Sequence, residues 1–398
     1  MKILHLVEFY YPSVGGSQEC VRQISERLSK SGHDVTVATS HIPQSKDEAV
    51  RHGVRIKRFK ISGNLVRGII GDKNKFKEFV LNGNFDVIMC YAAQQWTFDL
   101  LNEIIEEVKA KKILVPCGFS GLHEKSYSDY FIKMPNWLKK YDALVLLSNT
   151  YQDAQFIKQH KIKKYVLIPN CADENEFSKL LTHSNIRDVK KQFNLNNTVI
   201  CTIGGFTGLK GQLETMAVFK RLPLRDVSLV IIGNNDFDNK YFESCRIFAE
   251  SINNKQKNYG KNVVILETNN DVDRTNTLDI LKSSDLFLFM SYIEASPLVI
   301  FEAMAAGVPF VCNDVGNVKE IINWTKAGWL IHGKNKSRLF DANKTEALIK
   351  TFRLLKSKRQ RDKMTLNGRR AFKNTYNWHN CAKMYEELYE ELFTYDRC

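Results

Sequence analysis

Short apolar segments alternate with segments of helical periodicity along almost the whole chain. This alternation predicts β-α-β units and parallel sheets. In the first part of the chain, the segments with the length and composition of buried strands are residues 3–7, 34–38, 86–91, 112–116, 143–147 and 165–169. Further along, they are residues 199–203, 228–232, 262–266, 285–290 and 308–312. The pattern therefore predicts an α/β protein with two doubly wound sheets.

Two helices are predicted most clearly by the periodic segments. Val21, Ile24 and Leu28 have the spacing of one helical face. Ser17 can cap the start of this helix, and Gly32 follows its end. Near the end of the chain, apolar residues again repeat at helical spacing, namely Trp378, Ala382, Tyr385, Leu388 and Leu392. We expect this last helix to be amphipathic and to pack on another part of the protein.

A polar stretch at residues 181–197 separates two parts that share the same rhythm of strands and helices. We therefore expect a domain boundary near residue 184. Two such domains facing each other form a cleft lined by the carboxyl ends of their strands, where α/β sheets bind ligands.

The composition is typical of a soluble globular protein, with 43% hydrophobic and 26% charged residues, and 398 residues suffice for two domains. No apolar run approaches the ~20 residues that a membrane-spanning helix needs. The N-terminus lacks the apolar length and the cleavage site of a signal peptide. Nine cysteines without a C-x-x-C pair favour a reducing compartment. We therefore expect a cytoplasmic protein.

The net charge is +14, from 58 Lys and Arg against 44 Asp and Glu. Charge alone leaves nucleic acid, an acidic membrane surface and a phosphorylated small molecule open as partners. Basic residues concentrate at residues 55–60, 109–112 and 158–164. Residues 64–80 mix apolar and basic side chains, which suits either an anionic membrane or an amphipathic helix covering the first sheet. No recognition-helix, RNP or zinc motif supports nucleic acid.

The strongest chemical signal is the segment of residues 291–322, which begins directly after a predicted strand. Ser296 is a good N-cap and Pro297 suits the first helical position, so a helix is predicted to start there. A helix that starts just past a strand offers free N–H groups, here those of Leu298 and Val299, to a phosphate. The positive end of the helix dipole adds to this attraction.

Two glutamates flank the predicted phosphate site. Glu302 lies about 7.5 Å beyond Pro297 along the helix axis, and Glu294 lies on the other side of the helix start. Carboxylates in these two places suit the hydroxyls at both ends of a sugar diphosphate. A strand, loop and helix with two solvated glutamates explains the same spacing.

These residues resemble a known family. Glu294 and Glu302, followed by EAMAAGVPFV and VGNVKEII, look like the signature of glycosyltransferase family four, which are retaining enzymes with the GT-B fold. Other segments are similar to the family in the expected order: FYYPSVGGSQECVRQISERLSKSGHDVTVAT, VLIPNCADENEF, TIGGFTGLKG and NWHNCAKMYEELYEEL. The resemblance implies two Rossmann-like domains facing across a cleft. The expected domains are an acceptor-binding domain over 1–183, a nucleotide-sugar-binding domain over 184–375, and a helix over 376–398 that crosses back to the first domain.

The resemblance also implies roles for individual residues. Glu302 would hold the ribose hydroxyls of a nucleotide sugar, and Glu294 would contact the transferred sugar. Backbone at residues 296–298 would bind the diphosphate. The ammonium of Lys210 would stabilise the charge that grows on the leaving diphosphate. A solvated loop lysine is the alternative for Lys210.

Gly15 and Gly16 precede the first helix, where backbone can come close to a donor. They are a second candidate donor contact. A plain tight turn explains them too.

Three positions depart from the family pattern. The family usually has arginine where this chain has Gly205, so one charge for the diphosphate is missing. Cys171 replaces a glycine, which is a minor change. Many relatives have histidine at the position of Cys117, close to the sugar or acceptor. His123, in a loop with Tyr127 and Tyr130, is a candidate acceptor residue, although a lone loop histidine is more often solvated.

No catalytic metal and no cofactor are predicted. The acidic triplets at residues 236–238 and 271–273 imitate a metal-binding Asp-x-Asp motif, but each lies in an Asn-rich loop without a supporting pattern. Zinc-ligand spacing is absent from the sequence, as are a P-loop and a G-x-G-x-x-G after the first strand.

The hypothesis from the sequence is a retaining glycosyltransferase that uses a UDP- or GDP-linked sugar. Its expected acceptor is a hydroxyl of a glycan or lipid-linked molecule in cell-surface polysaccharide or glycoconjugate synthesis. A peripheral contact with the inner face of an anionic membrane is left open. Two alternatives stand beside it: a nucleotide-sugar-binding protein with little turnover, motivated by Gly205 and Cys117, and a basic nucleic-acid-binding protein, motivated by the net charge.

Overall fold

The computed structural model describes residues 1–178, 182–236, 238–256, 259–268, 270–332 and 341–394. The chain divides into two compact units, here called unit 1 and unit 2. Unit 1 comprises Met1–Asn170 together with the last helix, and unit 2 comprises Cys171–Asn377. Cys398 lies outside the described residues. Among the helices of the described residues, none is both long and apolar enough to span a bilayer.

The division between the units falls earlier than the polar stretch predicts. Ala172 forms a parallel bridge with Asn377, and its N–H donates to the carbonyl of Tyr376 at 3.2 Å. Phe177 is buried in a core cluster of unit 2. These contacts attach the residues after Asn170 to unit 2, so the division lies there rather than after residue 183.

Unit 1 contains an eight-stranded sheet and a separate two-stranded hairpin. Its strands are β1 (Lys2–Leu6), β2 (Asp34–Ser40), β3 (Glu48–Arg51), β4 (Val54–Phe59), β5 (Ile61–Asn64), β6 (Gly68–Gly71), β7 (Val87–Tyr91), β8 (Lys111–Val115), β9 (Ala143–Leu146) and β10 (Tyr165–Leu167). The sheet order is β10-β9-β8-β7-β1-β2-β4-β3, with only β3 antiparallel, and β5 pairs with β6. The strand order reverses at β1, which lies between β2 and β7.

The first helices of unit 1 connect these strands. They are α1 (Gly16–Lys30), α2 (Lys73–Asn82), α3 (Trp96–Ile104), α4 (Ser128–Leu138) and α5 (Gln152–Gln159). Val21, Ile24 and Leu28 of α1 are buried, which confirms the predicted helical face. The predicted cap is wrong. Gly15 is the N-cap, and the Ser17 hydroxyl instead donates to its neighbour Gln18 at 3.0 Å.

Unit 2 has one parallel sheet of six strands. They are β11 (Thr198–Ile203), β12 (Val227–Gly233), β13 (Lys261–Glu267), β14 (Leu286–Phe289), β15 (Phe310–Asn313) and β16 (Gly328–Ile331). Their order is β13-β12-β11-β14-β15-β16, so this sheet also reverses direction, between β11 and β14. Reversal points of this kind are where doubly wound sheets open a crevice for ligands.

In chain order, the helices of unit 2 come before, between and after the strands of that sheet. They are α6 (Glu174–Phe177), α7 (His183–Gln192), α8 (Gln212–Arg221), α9 (Asn239–Gln256), α10 (Arg274–Lys282), α11 (Leu298–Ala306), α12 (Val318–Thr325), α13 (Asp341–Lys356) and α14 (Lys358–Asn374). Strand β12, which lies between β13 and β11, is buried along its whole length. A strand buried on both faces has a nearly continuous apolar sequence, and this pattern predicts such strands from the sequence alone.

The last helix, α15 (Trp378–Thr394), belongs to unit 1. Trp378, Ala382, Tyr385 and Leu388 are buried, which confirms the amphipathic pattern. The helix packs against α1. The Tyr389 hydroxyl also meets Nε2 of His5 on β1 at 3.1 Å, so α15 contributes to the core around the first strand.

Every predicted strand is present, with each end within two residues of its expected place. Strands β3 to β6 and β16 were not predicted. In β4, buried Val54 and Ile56 alternate with Arg55 and Lys57. The sequence analysis therefore identified this segment as a cluster of basic residues and not as a strand. Strand β16 contains just four residues at the sheet edge.

Residues 64–80 do not form the single amphipathic helix that was one of the two alternatives. The first part is the turn and second strand of the β5–β6 hairpin, and only α2 is helical. Glycine explains the break, because Gly68 and Gly71 both have positive φ angles of 90° and 111°. Phe76 of α2 is buried, whereas Ile70 on the hairpin is 74% exposed.

Candidate functional site

The predicted donor residues of unit 2 gather where its sheet reverses direction. Lys210 lies in the loop after β11, and Glu294 lies in the loop after β14, the two strands on either side of the reversal. The Lys210 ammonium donates to Oε1 of Glu294 at 2.7 Å. The sequence analysis predicted that both residues bind the donor, but it did not predict that they contact each other.

Backbone contacts hold the two loops together. The N–H of Tyr292 donates to the carbonyl of Leu209 at 2.9 Å, directly before Lys210. The Ser291 hydroxyl contacts the same Glu294 oxygen at 2.8 Å. Gly211 has a φ of 70°, and a Cβ there would overlap the carbonyl oxygen of Met290. Glycine after Lys210 therefore allows the close approach that brings the ammonium to the carboxylate.

Helix α11 starts one residue later than predicted. Pro297 has an extended ψ of 116° and is the N-cap, so helical geometry begins at Leu298. Ser296 is not the cap. Its hydroxyl instead accepts a hydrogen bond from the Asn317 side chain at 2.9 Å. Gly316, with φ 55°, lets this second loop approach, since a Cβ there would lie 2.5 Å from the Ala295 carbonyl oxygen.

The N-terminal turn of α11 keeps its predicted potential for binding an anion. Leu298 and Val299 are its first two residues and are half-buried. The N–H groups of a first helical turn have no carbonyl partner within their own helix. They point along the helix axis, where the helix dipole favours negative charge.

Glu302 lies in the second turn of α11 and its side chain is only 10% exposed. Its carboxylate accepts a hydrogen bond from the Arg274 guanidinium at 2.6 Å. Arg274 begins α10 and also makes two hydrogen bonds to Glu176, at 2.6 and 3.1 Å. Burial alone would lower the pKa of Arg274, but the charges of Glu302 and Glu176 and the hydrogen bonds to them raise it above its usual value.

Arg274 and Glu176 were not predicted as site residues. Glu176 lies within the quoted family segment VLIPNCADENEF, and Arg274 directly follows the acidic triplet at residues 271–273. No local pattern links them, because they are 98 residues apart in the chain. The local signal for Arg274 in the sequence is its position directly after the acidic triplet, where a helix can start.

The acidic triplets have structural roles in unit 2. Asp273 caps α10 by accepting from the Asn276 N–H at 2.8 Å, and Asp271 accepts from the Glu267 N–H at 2.8 Å. Asp238 accepts from the Tyr241 N–H at 3.0 Å near the start of α9. These bonds satisfy turn and helix-start N–H groups.

Gly205 lies beside the Lys210 loop and is held by neighbouring polar side chains. The Gln212 side chain donates to the carbonyls of Gly204 and Gly205 at 2.9 and 3.1 Å. A Cβ on Gly205 would lie 2.6 Å from Oδ1 of Asn234. An arginine therefore fits this position only if Asn234 moves.

The predicted residues of the N-terminal half lie in unit 1. Gly15 is extended, with φ −176°, and neither it nor Gly16 needs the left-handed region, so a tight turn does not require glycine there. Apart from its chain neighbours and the backbone of its own helix, no atom of the described residues lies within 4 Å of a Cβ built on Gly16. The backbone there is therefore open to a ligand or to solvent.

The two acceptor candidates of unit 1 differ in environment. Cys117 has a left-handed φ of 57°, and burial followed by the charge of Asp153 raises the pKa of its thiol to about 12. It is therefore a neutral thiol near pH 7 and a poor nucleophile. His123 is exposed. Tyr127 and Tyr130, which were predicted to lie in the same loop, are buried instead.

One group of possible metal ligands occurs among the described residues. His33, Glu386 and Glu390 of unit 1 place ligand atoms within 4.8 Å of one another, and His33 contacts Glu386 at 2.8 Å. It is formed by residues of unit 1, whereas the predicted donor residues Lys210, Glu294 and Glu302 belong to unit 2. The prediction of metal-independent chemistry remains a prediction.

Both parts of the chain match known protein families. Residues 14–176 match the family described as Glycosyltransferase Family 4, and residues 184–371 match the family described as Glycosyl transferases group 1. The chain is 21% identical over 399 residues to N-acetyl-alpha-D-glucosaminyl L-malate synthase of Bacillus anthracis, covering 97% of each chain.

Solved structures show the same fold. Sucrose-phosphate synthase from Thermosynechococcus elongatus superposes with a TM-score of 0.76 and 19% identity, covering 99% of this chain and 100% of that one. Anabaena HepE in complex with UDP and glucose superposes with a TM-score of 0.74 and 17% identity, covering 98% of this chain and 100% of that one.

Fold and sequence matches thus define a glycosyltransferase of the GT-B type, the class that acts on nucleotide sugars. The chain belongs to glycosyltransferase family four, as the two glutamates and the segments around them predicted.

Proposed function

We propose that this protein is a retaining glycosyltransferase that moves a sugar from a UDP- or GDP-linked donor to a hydroxyl of a glycan or lipid-linked acceptor. The observation that supports it best is the 2.7 Å contact between Lys210 and Glu294, on either side of the sheet reversal in unit 2. A cation, a carboxylate and the start of α11 then lie at the crevice where such sheets bind ligands.

Each group has a proposed task. Lys210 leaves Glu294 for the donor diphosphate and stabilises the charge that develops on it as the glycosidic bond breaks. The first N–H groups of α11 bind the same diphosphate. Glu294, released from Lys210, binds hydroxyls of the transferred sugar. Glu302, held in place by Arg274, binds the ribose hydroxyls.

The sugar-transfer step needs no carboxylate nucleophile in this proposal. The acceptor hydroxyl attacks the anomeric carbon on the face that the diphosphate leaves, and its proton passes to the departing phosphate. The configuration is therefore retained, and no metal ion takes part. Lys210 and the α11 amides supply the positive charge that a metal would otherwise supply.

The names of relatives support the donor and acceptor classes. HepE is solved in complex with UDP and glucose. A relative from Escherichia coli, 23% identical over 57% of this chain and 59% of its own length, is a UDP-Gal:alpha-D-GlcNAc-diphosphoundecaprenol alpha-1,3-galactosyltransferase. We propose that the protein works in the cytoplasm, in cell-surface glycoconjugate synthesis, with a peripheral membrane contact where the acceptor is lipid-linked. The eight cysteines among the described residues are all free thiols, which suits a reducing compartment.

A thermal-shift screen with UDP, GDP, ADP and their sugars tests the proposal, because a ligand that binds only the folded state raises its melting temperature. We expect one nucleotide to raise it and the matching sugar nucleotide to be consumed in the presence of acceptor extract. Donor binding without nucleotide release, even with extract, would instead favour a binding protein. Steeply salt-dependent DNA or RNA binding that survives Glu302→Ala would favour the nucleic-acid alternative.

A further inference from the structure

Unit 1 has a sheet reversal of its own, and Glu8 lies beside it. Strand β1 pairs with β2 on one side and β7 on the other, so the crevice opens beyond the carboxyl ends of β1 and β7. Glu8 follows β1 by two residues, and Gln95 lies in the loop after β7. The N–H of Glu8 donates to the Gln95 side-chain oxygen at 3.0 Å, which joins the two loops.

The backbone of Glu8 is fixed while its side chain is not engaged. Its carbonyl accepts hydrogen bonds from the Ser40 N–H at 2.8 Å and the Thr39 hydroxyl at 3.0 Å. The residue is half-buried. Among the described residues, none donates a hydrogen bond to the Glu8 carboxyl group. A positioned carboxyl group is therefore available to a ligand at the crevice.

The surroundings of Glu8 are rigid and polar. Asp99 of α3 uses both carboxylate oxygens, accepting from the Leu65 N–H and the Tyr130 hydroxyl, each at 2.7 Å. Gln94 donates its N–H to the same tyrosine oxygen at 3.0 Å. These hydrogen bonds fix the position of the Asp99 carboxylate, which therefore stays in the same place when a ligand binds.

The loops at this edge also carry unusual backbone conformations. Ala92 and Gln94 follow β7 with φ angles of 73° and 64°, and Cys117 and Phe119 follow β8 with φ angles of 57° and 51°. None is glycine, so each left-handed conformation costs energy and persists only because its surroundings impose it. Backbone of this kind is concentrated at ligand sites in many proteins.

Charge selects what Glu8 can bind. Burial and then the negative charge of Asp99 raise the pKa of Glu8 to about 7, with the positive charge of Arg67 acting in the opposite direction. An anionic group of a ligand would face two carboxyl groups here. A hydroxyl can donate a hydrogen bond to the ionised Glu8 without this repulsion.

We propose that Glu8 is an acceptor-binding residue of unit 1, and that its carboxylate binds a neutral hydroxyl of the acceptor sugar or polyol in the crevice beyond β1 and β7. This inference rests on the proposed transferase function. If the acceptor carries a phosphate or a carboxylate, the proposal predicts that this anionic group does not lie beside Glu8.

The test compares Glu8→Gln, Glu8→Asp and the wild type, with Glu107→Gln as a matched control, because Glu107 is an exposed glutamate of the same unit. Octyl glycosides of glucose, galactose, mannose and N-acetylglucosamine serve as neutral probes, and octyl glucuronide serves as the anionic probe. Nucleotide release is measured against probe concentration and pH. The nucleotide-induced melting shift is measured on the same variants.

We expect Glu8→Gln to raise the KM for a neutral glycoside about tenfold or more, the effect of one charge-assisted hydrogen bond. Glu8→Asp should recover part of this loss, and the nucleotide-induced melting shift should be unchanged. In the wild type, kcat/KM for the glycoside should rise with pH through about 7. Arg67→Gln should move this rise to higher pH, because Arg67 lowers the pKa of Glu8.

The outcomes separate the two proposals. If no nucleotide shifts the melting temperature and no donor is consumed, the transferase function itself fails. If donor is consumed but Glu8→Gln keeps the wild-type KM and pH profile, the role of Glu8 is overturned. Acceleration by the glucuronide alone, or donor hydrolysis that no glycoside accelerates, overturns it as well.

Discussion

Lys210 and Glu294 form an ion pair at 2.7 Å although 84 residues separate them in the chain. The side chains are 29% and 13% exposed, so the carboxylate is nearly removed from water. Without a donor, each charge satisfies the other. A diphosphate with its own negative charge competes with Glu294 for the ammonium, so donor binding and release of Glu294 are coupled in this arrangement.

Lys210→Met should lower kcat much more than it weakens nucleotide binding. Loss of one group that stabilises developing negative charge costs roughly 10²–10³-fold in kcat. Steady-state kinetics with the donor identified by thermal shift checks this. Lys240→Met is the matched control, since Lys240 is an exposed lysine of unit 2, and it should behave as the wild type. A kcat within a factor of about two of wild type would remove Lys210 from the mechanism.

Glu302→Ala should weaken donor binding by about tenfold or more, because it removes the proposed partner of the ribose hydroxyls. Titration calorimetry with the stabilising nucleotide measures this. Glu176→Gln also breaks a contact of Arg274 but keeps Glu302, so it should weaken binding less. Equal losses in both variants would mean that the position of Arg274, and not the Glu302 carboxylate, determines affinity.

Much of the fold follows from local pattern. Strand β12 is buried throughout and apolar except for Ser228, so its sequence alone indicates it. Strand β4 alternates buried Val54 and Ile56 with arginine and lysine, and the basic residues obscured it. The division at Asn170 depends on the bridge between Ala172 and Asn377, which are distant in sequence, and no composition shift marks it.

The site residues that were predicted lie in segments with a recognisable local pattern, including Lys210 in the segment TIGGFTGLKG. Glu294 and Glu302 share one segment, and both were identified with their expected chemistry. Arg274 and Glu8 were missed, because each depends on contacts that the folded sheet creates. Arg274 reaches Glu302 from another helix, and Glu8 is defined by its place at the reversal of the unit 1 sheet.

Acid should destabilise the protein through His5. Burial lowers the pKa of His5 from 6.5 to about 3. Between these values the unfolded chain binds a proton that the folded chain does not, so stability falls as pH falls, by at most about 1.4 kcal/mol per pH unit. Glu8 and Asp99 act in the opposite sense, since their raised pKa values make the folded chain bind more protons as pH falls.

The His5 contribution is measured by comparing variants rather than from the wild type alone. Urea unfolding at several pH values between about 4 and 7 should show that the wild type loses stability relative to His5→Gln as pH falls, by at most about 1.4 kcal/mol per pH unit. His123→Gln, which changes an exposed histidine, should keep the wild-type slope. Parallel slopes in all three proteins would mean that folding does not change the pKa of His5.

Introducing at Gly205 the arginine that the resemblance to the family implies should require a second change. A Cβ at Gly205 would lie 2.6 Å from Oδ1 of Asn234, whose side chain also donates to Asp236 at 2.6 Å. Gly205→Arg alone should therefore cost about 1–3 kcal/mol of stability through overpacking. The double variant Gly205→Arg with Asn234→Ala should recover most of this cost. It should also bind the nucleotide severalfold more tightly than Asn234→Ala alone, with a gain that shrinks as salt screens the added charge.

A double-mutant cycle of melting temperature and nucleotide affinity measures the coupling between positions 205 and 234. If the double variant is stable but gains no affinity, an arginine at position 205 does not act on the diphosphate, and Lys210 is the one cation proposed for it in this loop.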